Sequence, residues 1–210
     1  MLARVQRGLE TLYRVDSGVD VGDYLASAAL RDRVVAARRP REQLLVSEAD
    51  GELSLALFID PDVLANLAAN DPGRALGDHN LGDFLLAIEG VSHFIYAVCC
   101  ARADRRVTQL ELELQAEVDK YVTCLLVTDA GTGGSSDLRR RLFGDALYEP
   151  DLDGEEADRY RVANDNASRY TAWLEHSYVA TRRIPEMLAE LRRFYRDGLA
   201  AKLATCSRAA

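Results

Sequence analysis

The stretch 84–101 reads FLLAIEGVSHFIYAVCCA, and its strongly polar residues are Glu89, Ser92 and His93. No other segment constrains the fold as hard. An apolar run of this length must be buried, either in a protein core or in a bilayer. An ionisable group inside it is costly unless something pairs with it. Glu89 and His93 therefore favour a core helix over a membrane span, and no membrane insertion is expected. At about 100° per residue, Ser92, His93, Tyr96 and Cys100 all fall within roughly 60° of Glu89. One narrow polar stripe thus runs along an otherwise apolar helix.

A second helix follows after a short turn at 103–106. Thr108 with Glu111 three residues later is a capping box, and it opens VTQLELELQAEVDKYVTCLLV. Leu110, Leu114, Tyr121 and Leu125 define an apolar face. Glu117 falls in the middle of that face and Glu113 on its flank, whereas Glu111, Gln115 and Asp119 are expected at the surface. The short connection predicts an antiparallel helical hairpin over about 81–128. If its turn centres near Asp104, His93 lies level with Gln115, between Glu113 and Glu117 in height.

The remaining segments surround this pair. Residues 2–14 carry Leu2, Val5, Leu9 and Leu12 at helical spacing, and 21–37 again reads as a helix. QLLVSEADGELSLALFID is the β signal. Its Asp50-Gly51 pair suits a tight turn, which predicts a β-hairpin over about 44–59 with Leu53, Leu55, Leu57 and Ile59 on one face. Asp60-Pro61 caps a short helix. AGTGGSS at 130–136 reads as a connector, and two further helices are expected in the final 55 residues. The fold class is mainly α, a helical bundle-like domain around the 81–128 hairpin with one small β-hairpin. A single domain is expected, with parts at 1–73, 74–130 and 136–204.

Composition narrows the function classes. With 48% hydrophobic and 29% charged residues, the chain is an ordinary globular one. Its net charge of −8, all of it within residues 1–135, makes nucleic acid an unexpected partner. Cys99, Cys100, Cys124 and Cys206 lack the spacing of a zinc knuckle or a redox pair. The start, MLARVQRGLETLYRV, has no long apolar h-region, so a reducing cytoplasm is the expected location.

Chemistry is concentrated in one constellation: Glu89, Ser92, His93, Tyr96, Glu113 and Glu117. Glu89, His93, Glu113 and Glu117 are the candidate metal ligands, because carboxylates and imidazole on facing helices suit iron, manganese or zinc. An acid/base pair tuned around His93 is a second chemical reading. The third is an internal hydrogen-bonded network that only fixes helix register. Among weaker signals, His79 reads as a turn residue and His176 as helix surface. Arg192, Arg193 and Arg196 form a candidate anion or partner surface.

No nucleophile elbow, nucleotide fingerprint or catalytic triad pattern is present in the sequence. Two function classes stay open. One is a non-enzymatic cytoplasmic binding protein (a regulator, adaptor or assembly component) that meets a protein partner or a second copy through the 44–59 hairpin or the basic C-terminal helix. It needs no cofactor. The other is a metal-dependent or acid/base enzyme, or a ligand sensor, using a divalent metal in the Glu/His stripe.

Overall fold

The computed structural model describes residues 1–34, 39–49, 51–128, 132–144 and 154–209. The chain is mainly helical with a single two-stranded antiparallel hairpin among the described residues, as its periodicities predict. It divides into two compact units, Met1–Glu10 with Val15–Arg106, and Thr11–Arg14 with Val107–Ala210. The cut falls between the two long central helices, so each of them is the core of its own unit.

In the first unit, α1 (Leu2–Tyr13) contributes its portion up to Glu10. The connection after it is tied back by Gln6, which is buried. The Gln6 amide accepts from Val21 N at 2.8 Å and donates to Val19 O at 2.6 Å and Ser17 Oγ at 3.1 Å. The region expected to be one helix over 21–37 is instead a 3₁₀ turn, Val21–Tyr24, followed by α2 (Ala28–Val34). The break has a reason: Leu25 is drawn into a bridge with Leu57, and Ala26 N donates to Leu57 O at 2.8 Å. Residues 35–38 lie outside the described residues.

The hairpin pairs β1 (Glu42–Ala49) with β2 (Glu52–Ile59), with Glu42 opposite Ile59 and Ala49 opposite Glu52. Asp50 lies outside the described residues, while Gly51 takes φ 79°, the left-handed value that the tight turn requires. Burial follows the length of the hairpin more than its two faces. Leu57, Phe58 and Ile59 are all buried, while Val46 and Leu53 near the turn are 56% and 43% exposed. The expected Leu53–Ile59 face is therefore core only at its base.

Next come α3 (Pro61–Ala69) and α4 (Leu81–Arg102). Asp60 caps α3 through Asp62 N at 2.9 Å, with Pro61 in its first turn. Asn80, buried ahead of α4, spends its side chain on the preceding loop instead of capping. It accepts from Gly77 N at 2.9 Å and donates to Ala75 O at 2.8 Å and Asn70 O at 3.0 Å. α4 is long and apolar enough to cross a membrane by length and composition, yet 72% of its most apolar window is buried inside the fold. It packs on α3 and on both strands.

The second unit centres on α5 (Gln109–Thr128), which lies along α7 (Gly154–Leu174). Thr108 Oγ1 accepts from Glu111 N at 3.2 Å, the backbone half of the expected capping box. α6 (Thr132–Arg139) begins inside the segment expected to be a connector and runs into a π turn, Arg140–Gly144. A second π turn, Glu175–Val179, continues α7. The last region is two helices, α8 (Ile184–Arg196) and α9 (Leu199–Arg208), separated at Asp197-Gly198, so the final stretch holds one helix more than its pattern suggests. Stacked rings tie α8 to its neighbours: Tyr170 of α7 on Phe194 at 4.2 Å and Tyr13 on Tyr195 at 4.1 Å.

Candidate metal centre

Four residues apart on α4, Glu89 and His93 occupy one face of the helix. Between them sits Gly90. A Cβ at that position would stand 2.8 Å from Ile59 Cδ1 and 2.9 Å from Glu42 Cγ. Glycine is what lets the base of the β-hairpin come this close to the helix. That approach brings the first residue of β1, Glu42, to the Glu89/His93 pair.

Ligand atoms of Glu42, Glu89 and His93 all lie within 4.8 Å of one another. His93 Nδ1 is 3.7 Å from Glu42 Oε1, an ion-pair distance rather than a hydrogen bond. Glu42 is 9% exposed, Glu89 8% and His93 6%, so the cluster is almost closed to water. Around a divalent ion bonded at about 2.0–2.2 Å, tetrahedral ligand atoms stand about 3.4 Å apart and trans octahedral ones about 4.2 Å. The 3.7 Å separation of His93 Nδ1 and Glu42 Oε1 falls within that range. Two carboxylates and one imidazole suit manganese, iron or zinc better than a thiol-seeking metal.

The other sequence candidates are distributed. Ser92 and Tyr96 are buried on α4, and Arg105 lies over the Tyr96 ring at 5.2 Å. Glu113 and Glu117 are on α5 in the second unit, where Glu117 pairs with Lys120 at 2.8 Å. The structure thus joins Glu89 and His93 to Glu42, a residue the sequence reading passed over. Its one local signal is Gly90, since a glycine inside an apolar helix marks a close approach. His79 and His176 are exposed, as expected.

The rotation of α5 also differs from its sequence reading. Glu111, Gln115 and Asp119, expected at the surface, are 3%, 0% and 1% exposed. Gln115 and Asp119 belong to a network within the second unit. Lys202 Nζ donates to Gln115 Oε1 at 2.5 Å, and Gln115 Nε2 donates to Asp119 Oδ1 at 2.8 Å. The Tyr13 hydroxyl donates to the same Asp119 oxygen. Burial first, then the Asp119 charge, pushes the Tyr13 phenol well above its ordinary value. Lys202, wholly buried, also faces the Phe194 ring at 4.9 Å. A smaller set joins the Tyr121 hydroxyl to Ser135 Oγ at 2.7 Å, and Ser135 to Glu175 at 3.2 Å. Burial raises Tyr121 to about 12.

Among the candidate surface arginines, Arg193 is committed. It pairs with Glu190 at 2.5 Å and Asp197 at 3.8 Å. Arg192 Nε instead donates to Leu12 O at 2.8 Å, and Arg196 Nη2 to Tyr13 O at 3.3 Å.

Set beside known proteins, the chain matches no family, no curated protein and no solved structure.

Proposed function

We propose that this chain is a non-enzymatic, metal-responsive binding protein. A divalent transition metal held by Glu42, Glu89 and His93 pins the β-hairpin onto α4, and the outer half of the hairpin meets a protein partner. The observation that carries the reading is the convergence of three ligand side chains from two separate elements within 4.8 Å. A cation there would neutralise two buried carboxylates, which is the usual way such groups are accommodated. It would also link residues far apart in sequence, so that metal binding and hairpin position become one equilibrium. Val46 and Leu53, well exposed on the outer half, supply an apolar surface for the partner. None of the four cysteines is in a disulfide, which suits a reducing cytoplasm.

Equilibrium dialysis with Mn²⁺, Fe²⁺ and Zn²⁺, read by elemental analysis, tests the site. One equivalent of metal is expected, with affinity reduced by about a hundredfold in His93→Ala and in Glu42→Gln. A protein that binds no metal, or variants that bind as tightly as the parent, would overturn the assignment. If metal binds but pull-down through the hairpin is unchanged by Val46→Asp and Leu53→Asp, the partner surface is elsewhere.

A further inference from the structure

The second unit carries a separate group of charges at the end of α1. Arg192 and Arg196 reach the last carbonyls of that helix, Leu12 O at 2.8 Å and Tyr13 O at 3.3 Å. A second Arg196 nitrogen donates to the Arg192 backbone O at 2.7 Å, which folds the Arg196 side chain back along α8 while both arginines reach neighbouring carbonyls of α1. Arg14 follows directly, exposed, with φ 53°. None of the three has a carboxylate partner among the described residues, although the chain as a whole is acidic.

Helix capping explains part of this arrangement. Cations at a helix C-terminus meet the negative end of the dipole and satisfy its free carbonyls. It does not explain Arg14. The residue after a helix often takes the left-handed conformation, and glycine fills that place without strain. Here a bulky arginine fills it and adds a third positive charge to the pair. Burial first, then Arg14 and Arg196, lowers the Arg192 pKa, so the like charges press on one another. Each guanidinium has five N–H donors, and the carbonyl contacts use only some of them.

We propose that Arg14, Arg192 and Arg196 form a binding site for a small soluble oxyanion of the phosphate class. Guanidinium forks match phosphate oxygens two at a time, and an anion relieves the repulsion among the three. The net charge of −8 works against extended anionic surfaces such as membranes and nucleic acids, but it bears less on a small ion reaching a local cluster of arginines.

The test is isothermal titration of the whole protein with pyrophosphate, alongside thermal unfolding. Arg14→Gly is the decisive variant, because glycine suits the left-handed position: its melting temperature should equal or exceed that of the parent while its pyrophosphate affinity falls by about tenfold. Arg192→Lys keeps the charge and loses the fork, so it should also bind more weakly. Arg193→Ala should bind like the parent. Pyrophosphate affinity unaltered in Arg14→Gly overturns the proposal, as does a parent protein that gives no titration heat and no thermal shift. So does sedimentation with phosphatidylserine vesicles in the absence of any pyrophosphate binding.

Discussion

Two buried polar clusters, one in each unit, are built on opposite plans. In the second unit, Lys202, Gln115, Asp119 and Tyr13 form a chain in which each donor meets an acceptor and one positive charge answers one negative. In the first unit, Glu42, Glu89 and His93 bring two carboxylates and an imidazole to one point. The trio places oxygen and nitrogen ligand atoms within reach of one point. A balanced chain of this kind holds helices in register without help. A convergence of two carboxylates and an imidazole has the ligand chemistry of a divalent cation, on which the proposed metal binding rests. The same residue classes are thus arranged in one unit as a donor-to-acceptor chain and in the other as a cluster of potential ligand atoms.

Substitutions can break this contrast, and the largest effect is expected in the balanced network. Asp119→Ala leaves the Tyr13 hydroxyl and the Gln115 amide buried without this acceptor and removes the negative charge of the network, and should cost about 3–5 kcal/mol in denaturant unfolding. A loss below about 1 kcal/mol would mean that water or another group takes over, and the two clusters would no longer differ in kind.

The next effect is alkaline. Burial raises Tyr121 to about 12, Cys124 to about 12 and Cys206 to about 11, and all three are in the second unit. Folded values above the unfolded ones mean that the folded state holds these protons longer. Their stabilisation is complete below the unfolded thiol value near 9, and it is lost as pH climbs toward 12. Tyr121 alone should contribute about 2 kcal/mol to that loss. Hydrogen exchange followed across this range should show the second unit opening first, and simultaneous opening of both units would blur the contrast.

Smaller still is Gly90→Ala, in which the gain in helix propensity partly offsets the clash with Ile59 and Glu42. A net loss of about 1 kcal/mol is expected, with metal affinity reduced because Glu42 is pushed aside. Smallest is Glu89→Gln in metal-free protein. Removing one of two close carboxylates should leave stability within about 0.5 kcal/mol of the parent or raise it. A large loss there would make the Glu/His trio a structural network after all.

Much of the fold was legible because its punctuation is local. Asp60-Pro61, Thr108 with Glu111, and Asp50-Gly51 marked boundaries that depend on a few neighbouring residues. The rotation of α5 was not legible. It is buried on most sides, so a hydrophobic face chosen from Leu110, Leu114 and Tyr121 had no solvent side to set its phase. Gln115 and Asp119 then read as surface although tertiary partners hold them inside. Two of the three residues of the candidate site followed from helical spacing, since Glu89 and His93 are one turn apart. Glu42 reaches them from 47 positions upstream of Glu89 through sheet packing, a contact that no local period encodes. Glu113 and Glu117 match in height by arithmetic, but they belong to the other unit.

The lengthwise grading of burial along the β-hairpin has a mechanical consequence. The root is clamped, at Glu42 and Ile59 beside Gly90 and at Leu57 beside Leu25, while Val46 and Leu53 nearer the turn are exposed. Eight residues of strand extend about 26 Å, so a tilt of about 5° at the root carries the turn by about 2 Å. A change of packing at Gly90 too small to disturb the core would therefore be magnified at the turn.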